Sequence, residues 1–182
     1  MMAFIELGAN PAGEYETLIR TVGNKTGVEP ELVAAHIMAE SAFNSRAFNP
    51  EGSYGLMQIY LPTAKKLLNL PDLKVESLYV PEINLMSGVL LIRQNLNRYE
   101  NNLPDAIAAY NAGMARKNAY GQYTDSKGNI RVQNYVDRVL DYYRTYKTGY
   151  PLTAIALSKV VLAVPLMLLA GLAIFTLIRR RG

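Results

Sequence analysis

The sequence predicts a mainly α-helical domain followed by one C-terminal transmembrane helix. Apolar residues recur three and four positions apart through most of the first 146 residues, which is the spacing of one face of a helix. No segment shows the convincing apolar/polar alternation of a half-buried strand. Residues 160–178 carry no charge, which is the pattern of a membrane span.

Proline and glycine divide the first part of the chain into helices. A first helix runs over residues 13–26 and stops at Gly27, and a second begins at Pro30 and continues to Phe43. Further helices are expected within residues 55–70, with Pro62 in the first turn, at 82–99, at 105–112 with Gly113 as C-cap, and at 132–146. Polar residues predict loops at 44–54 and 114–131.

The same patterns predict five parts of the chain. They are an N-terminal segment (1–12), a helical domain (13–146), a linker (147–159), the transmembrane helix (160–178) and a basic tail (179–182). The 19 uncharged residues would extend about 28 Å as a helix, close to the hydrocarbon thickness of a bilayer. A buried core helix is the alternative, but core helices this long are rarely apolar on every face.

Charge and composition exclude several classes of function. The net charge of +4 comes from Lys159 and Arg179 to Arg181, because residues 1–151 contain 15 basic and 15 acidic residues. We therefore predict no nucleic-acid partner. The chain has no cysteine and a single histidine, which argues against a metal site, and no motif predicts a cofactor.

Glu40 is the candidate catalytic residue. In a helix, Val33, His36 and Ile37 lie on its face, so the carboxyl group has largely apolar neighbours. Partial burial raises the pKa of a carboxyl group, which makes a glutamate a proton donor near neutral pH. The alternative is a glutamate that only ends the helix. His36 is interpreted as a core or surface histidine rather than as a group that tunes Glu40.

Three polar motifs follow one another in the helical scaffold: Glu40-Ser41, Gly-Leu-Met-Gln-Ile at 55–59 and Ala-Tyr-Asn-Ala-Gly at 109–113. In this order and spacing, residues 12–145 resemble the soluble lytic transglycosylase domain, the family 23 glycoside hydrolases related to goose-type lysozyme. The resemblance implies a lysozyme-like helical fold and a peptidoglycan substrate. Pro81, Asn84 and Gly88 resemble the stretch that leads into the central helix of that family.

The resemblance also implies roles for individual residues. Glu40 stands where these enzymes have their catalytic acid, and Tyr110 stands where a tyrosine approaches that acid. Asn49 replaces a usual serine, and Arg131-Val132 replaces a usual Glu-Thr pair. The expected substrate-binding residues are Asn49, Tyr54, Met57, Gln58, Tyr110, Asn111 and Tyr135.

No second carboxylate occupies a motif position, since Glu51 and Asp105 lie outside the motifs. Most glycosidases use two carboxylates, so the sequence favours a mechanism with Glu40 alone. In the reaction that the resemblance implies, the N-acetyl group of the substrate stabilises the developing cation and the 6-hydroxyl of the sugar closes a 1,6-anhydro ring. Attack by water would instead give lysozyme-type hydrolysis, and an inactive wall-binding protein is a third possibility.

The expected location follows from the basic tail. Arg179 to Arg181 would hold the C-terminus in the cytoplasm, so residues 1–151 would face the cell wall. No cleavable signal peptide is visible before the helical domain. These features suggest either the internal membrane of a bacteriophage, with wall breaching during genome delivery, or a bacterial inner membrane or secretion apparatus. The expected partners are glycan strands and, through residues 160–178, lipid; the oligomeric state is not predicted.

Overall fold

Six α-helices form most of residues 11–148, which is the part of the chain that the computed structural model describes. They are α1 (Pro11–Thr26), α2 (Pro30–Ser41), α3 (Leu61–Leu68), α4 (Pro81–Arg98), α5 (Leu103–Ala112) and α6 (Arg131–Thr148). A 3₁₀ helix, Val75–Tyr79, precedes α4. Three short strands, β1 (Phe48–Asn49), β2 (Ser53–Tyr54) and β3 (Ile59–Tyr60), lie between α2 and α3.

Local sequence explains where these helices begin and end. A proline occupies the first turn of α2, α3, α4 and α5, where its missing N–H has no helical partner to lose. The Asn102 side chain accepts a 3.2 Å hydrogen bond from the Asp105 N–H and so caps α5. Gly113, at φ 74°, ends α5 in the left-handed conformation that glycine adopts without steric cost.

Helix α2 lies at the centre of the core. Its residues from Leu32 to Ile37 are all buried, because α1 and α6 pack against it. Helix α4 packs against α1, α3 and α5 and closes the other side of the domain. The helix that carries Glu40 is therefore held by packing on several faces, which fixes the position of its last turn.

The small sheet differs from the expectation of a domain without strands. β1 pairs with β2 through Phe48–Tyr54 and Asn49–Ser53, and β2 pairs with β3, all antiparallel. The expectation was wrong here because strands of two residues are too short to show alternation. The sheet depends on turns instead, such as the hydrogen bond from the Gly52 N–H to the Asn49 carbonyl oxygen at 2.8 Å.

The predicted helices occur close to their expected bounds. Within residues 55–70 the helix is Leu61–Leu68, with Pro62 in its first turn as predicted, whereas the 3₁₀ helix was not predicted. Within residues 11–148, no helix is both long and apolar enough to cross a bilayer. The predicted transmembrane helix at 160–178, the basic tail and most of the linker lie outside the described residues.

Candidate active site

The carboxyl group of Glu40 is held in a nearly buried position at the C-terminal end of α2. Burial raises its pKa from 4.5 to about 7. The Tyr135 hydroxyl donates a 2.6 Å hydrogen bond to Oε1, and this bond and the Arg138 guanidinium both favour the ionised form. Burial has the larger effect, so Glu40 exchanges its proton near neutral pH.

Glu40 opens into a cavity of about 420 Å³ between α2, α5, α6 and the small sheet. The size is that of a pocket for a small ligand or part of a polymer. Polar side chains dominate the lining, which suits a polar ligand such as a sugar. The lining residues are Glu40, Asn49, Glu51, Ser53, Gln58, Ile59, Tyr60, Thr63, Leu91, Tyr110, Asn111, Arg131, Asn134, Tyr135 and Arg138.

One face of α6 forms a wall of the cavity. Arg131, Asn134, Tyr135 and Arg138 are spaced as i, i+3, i+4 and i+7, so they project from the same side of the helix. The Arg138 guanidinium lies 5.7 Å from the centre of the Tyr135 ring, within the range of a cation–π contact. This wall supplies positive charge beside Glu40.

The small sheet forms the opposite wall through a chain of side-chain hydrogen bonds. Asn49 and Ser53 are paired across β1 and β2, which places both side chains on one face. The Ser53 hydroxyl donates to Gln58 Oε1 at 3.0 Å, and Gln58 Nε2 donates to the Gly55 carbonyl oxygen at 2.9 Å. Gln58 is therefore fixed in orientation although its φ of 48° is unfavourable for a side chain.

A buried asparagine holds the floor of the cavity. Asn84 Oδ1 accepts from the Met57 N–H at 2.8 Å, and Nδ2 donates to the carbonyl oxygens of Tyr54 and Leu78 at 2.7 and 2.8 Å. Three backbone groups of the irregular segment are thus satisfied by one side chain without water. The three hydrogen bonds of Asn84 therefore fix the loop that presents Gln58.

The turn after Glu40 is tied to the same loop. Ala42 and Phe43 both have positive φ values, 49° and 65°, which bend the chain sharply away from α2. Phe43 is buried and stacks on Tyr15 at 6.5 Å between ring centres. The Ser41 hydroxyl donates to the Leu56 carbonyl oxygen at 2.7 Å, so α2 and the loop meet at a fixed distance.

The structure brings most of the expected site residues into one cavity. Asn49, Gln58, Tyr110, Asn111 and Tyr135 line it together with Glu40.

Two expected residues lie elsewhere. Met57 was expected to line the groove, but its side chain is fully buried below the cavity, packed on α4 at Gly88. Tyr54 points away from the cavity because it pairs with Phe48 on the other face of the sheet; the two rings lie 5.4 Å apart.

The two tyrosines differ in their contact with Glu40. Tyr110 lies close enough for Glu40 to raise its pKa, but its hydroxyl donates to the Met57 carbonyl oxygen at 2.9 Å. The hydroxyl that reaches Glu40 is that of Tyr135.

Several lining residues were not predicted. Arg138 and Asn134 could have been inferred from the sequence, because Arg138 lies three residues after Tyr135 and Asn134 one residue before it, in a predicted helix. The positions of Ser53 and Tyr60 could not be inferred in this way, since they depend on the register of strands only two residues long. Glu51 also lines the cavity, whereas Asp105 is bound by Tyr123 and by Lys117, the latter at 3.2 Å.

Comparison with known proteins agrees with this architecture. The sequence profile of the family described as the transglycosylase SLT domain matches residues 17–133. A transglycosylase of Enterobacteria phage PRD1 is 36% identical over 99 residues, which is 54% of this chain and 34% of the phage protein. The soluble lytic murein transglycosylase of Salmonella typhimurium is 33% identical over 147 residues, 73% of this chain and 23% of that protein.

A solved structure shows the same fold. A 70-kDa soluble lytic transglycosylase in complex with bulgecin A superposes with a TM-score of 0.63 at 27% identity, covering 81% of this chain and 26% of that one.

The fold and the cavity define a mainly helical, lysozyme-like domain, as the sequence predicted. The chain belongs to the transglycosylase SLT domain family. It spans only about a third or less of the length of the two curated relatives described above.

Proposed function

We propose that this protein is a peptidoglycan lytic transglycosylase that cleaves the β-1,4 bond between N-acetylmuramic acid and N-acetylglucosamine. The observation that carries the proposal is the buried carboxyl group of Glu40, with a pKa of about 7, inside the polar cavity of a transglycosylase SLT domain. A carboxyl group with this pKa can donate a proton and accept one back at neutral pH, which a single-acid mechanism requires.

In the proposed reaction, protonated Glu40 gives its proton to the glycosidic oxygen as the bond from that oxygen to C1 of the muramic acid breaks. The N-acetyl oxygen of the same sugar stabilises the positive charge that develops at C1. The Glu40 carboxylate then removes the proton of the 6-hydroxyl, whose oxygen bonds to C1. The products are a 1,6-anhydro end and a new 4-hydroxyl end, with Glu40 protonated again and no water consumed.

The cavity supplies groups for holding the sugar during these steps. We assign substrate binding to Asn49, Gln58, Tyr110, Asn111 and Tyr135, because they line the cavity that contains Glu40. Asn49 stands where the resemblance expects a serine, and Ser53 is its cross-strand partner in the same wall. Together they offer amide and hydroxyl groups to the N-acetyl group.

Lysozyme-type hydrolysis is the second candidate, and Glu51 is the observation that favours it. Glu51 lines the same cavity and is exposed to solvent, so it is available to activate a water molecule. In a hydrolase of that kind, Glu51→Gln would lower kcat by roughly a hundredfold or more. Under transglycosylation the variant keeps its anhydro products, because no water has to be activated.

Mass spectrometry of digested peptidoglycan distinguishes these functions. Anhydro ends with the wild-type protein support transglycosylation, reducing ends support hydrolysis, and undegraded glycan with retained binding supports a wall-binding protein. Glu40→Gln is expected to lower kcat by roughly 10²- to 10⁴-fold. Glu31→Gln in the same helix, outside the cavity, is the matched control. Full activity of Glu40→Gln would contradict the proposal.

For the biological role, we propose local wall breaching during delivery of a phage genome, with residues 160–178 as a membrane anchor and the helical domain on the wall side. The similarity to the phage PRD1 transglycosylase and the uncharged 19-residue segment support this role. A bacterial inner-membrane or secretion-apparatus enzyme is the alternative. Protease protection in intact virions supports the phage role, whereas cleavage at the outer face of spheroplasts supports the bacterial one.

A further inference from the structure

His36 is a polar side chain in the apolar core, and it lies one helical turn before Glu40 on α2. Its Nδ1 atom is 3.0 Å from the Tyr135 hydroxyl oxygen, and that hydroxyl donates to Glu40 Oε1 at 2.6 Å. The three side chains thus form one continuous hydrogen-bonded chain that ends at the candidate catalytic acid.

The direction of this chain follows from counting protons. When Glu40 is ionised, its carboxylate can only accept, so the one hydroxyl proton of Tyr135 points to Oε1 and the contact with His36 requires an N–H on Nδ1. Burial lowers the pKa of His36 to about 3, so the ring is neutral. A neutral imidazole has one N–H, and His36 is therefore the tautomer protonated on Nδ1.

Packing fixes the orientation of the ring. The His36 ring lies 4.6 Å from the ring of Tyr110 on α5 and 6.2 Å from that of Tyr135 on α6, between centres. Phenylalanine and leucine are the usual residues of such an apolar core, but neither would donate a hydrogen bond. The shape of the core therefore does not account for a histidine at this position.

We propose that His36 is a positioning residue for the acid: its N–H fixes the Tyr135 hydroxyl so that the hydroxyl proton points at Oε1 of Glu40. The transferable proton is then carried by Oε2, which has no protein partner among the hydrogen bonds of residues 11–148. The inference deepens the proposed function, since it rests on Glu40 being the acid. After proton transfer, the same chain stabilises the carboxylate that remains.

The other groups near Glu40 do not supply this restraint. Arg138, on α6, acts on Glu40 through its charge. Tyr110, on α5, directs its hydroxyl to the Met57 carbonyl oxygen. Of the titratable groups that face Glu40 in the described structure, only His36 contacts the oxygen of Tyr135 by a hydrogen bond.

The first test needs no activity. His36 is the only histidine, so ¹⁵N-histidine labelling of the untagged protein gives the signals of one ring. We expect a neutral ring protonated on Nδ1 between pH 5 and pH 8, whose Nδ1 shift follows a titration with a midpoint of about 7. The titration should disappear in Glu40→Gln. A ring protonated on Nε2 at pH 8, or one that gains a charge in this range, would overturn the proposal.

The second test separates positioning from packing. His36→Phe keeps the ring but removes the donor, and we expect roughly two- to tenfold lower kcat and a higher midpoint for Glu40. His36→Asn places an amide N–H near the position of Nδ1 and should restore most of the loss. In the Tyr135→Phe background, His36→Phe should have no further effect on kcat.

Equal losses in both backgrounds would assign His36 to packing and overturn the inference. Absence of any cleavage by the wild-type protein would overturn the proposed function, while the ¹⁵N titration would still decide whether the hydrogen-bonded chain exists. If His36→Phe does not fold, the ¹⁵N titration and the activity of His36→Asn decide between positioning and packing. In that case, His36→Asn activity far below wild type would count against positioning by a donor.

Discussion

The hydroxyl of Tyr135 donates a 2.6 Å hydrogen bond to Glu40, although 95 positions separate the two residues in the chain. The bond favours the carboxylate, while burial favours the protonated acid. The balance between these two effects sets the pKa of Glu40 and therefore the pH range in which the proposed reaction is fastest.

Tyr135→Phe is expected to raise the pKa of Glu40 further above 7, because it removes a donor to the carboxylate and leaves the burial unchanged. The alkaline limb of the pH–kcat profile should then move to higher pH. Tyr143→Phe is the matched control: on the same helix, the Tyr143 hydroxyl donates at 2.6 Å to Glu29, outside the cavity. A profile that moves equally in both variants would contradict the assignment.

Glu40 should make the protein less stable at high pH. Its folded pKa of about 7 exceeds the ordinary glutamate value of 4.5, so the folded state binds the proton more tightly and ionisation destabilises it. The loss of stability that comes from ionising Glu40 is absent below pH 4.5, grows between pH 4.5 and pH 7, and reaches its full value above pH 7. Glu40→Gln should therefore raise the free energy of unfolding at pH 8, by about 3 kcal/mol at most, and have little effect at pH 4.5.

Urea unfolding at the two pH values tests this expectation. His36 has the opposite dependence, because its folded pKa of about 3 lies below the ordinary histidine value of 6.5 and stability is lost as pH falls through that interval. The difference between wild type and Glu40→Gln isolates the contribution of Glu40. A difference that is the same at both pH values would show that the carboxyl group is not desolvated.

Asn84→Leu should destabilise the protein by about 3 kcal/mol or more, since it leaves three buried backbone groups without a partner. Chemical denaturation provides the measurement. Asn97→Leu, on the exposed face of the same helix, should cost less than about 0.5 kcal/mol. Similar losses of unfolding free energy in the two variants would show that the hydrogen bonds of Asn84 do not stabilise the loop.

Gly88→Ala should overpack the contact between α4 and the cavity floor. A Cβ atom at this position would lie 2.3 Å from the sulfur of Met57 and 2.8 Å from its Cβ, and such overpacking costs about 1–3 kcal/mol. Adding Met57→Ala should relieve the clash, so the double variant should be more stable than the sum of the single changes predicts. Simple additivity would mean that the two residues do not touch.

The helices could be predicted because their signals are local. Pro30, Pro81 and Pro104 begin helices and Gly113 ends one, and each of these residues acts through its own backbone. The small sheet could not be predicted in the same way. Its pairing depends on turns that bring residues such as Asn49 and Ser53 together, and strands of two residues leave no periodic pattern.

Only part of the candidate site could be predicted in composition, and its contacts could not be predicted. The motif resemblance selected both Tyr110 and Tyr135, yet which hydroxyl reaches Glu40 depends on how α5 and α6 pack against α2. For the same reason His36, which the sequence suggests is only a core or surface residue, gains a role through a contact with a residue 99 positions away.

The position of α6 near the end of the domain has a consequence during synthesis. A ribosome makes Glu40 long before it makes Arg131–Thr148, and contacts between distant segments form only after both have emerged. Until α6 docks, Glu40 lacks its tyrosine donor and one wall of its cavity. A nascent or C-terminally truncated chain would therefore be inactive, and the proposed cleavage of peptidoglycan would begin only after the domain is complete.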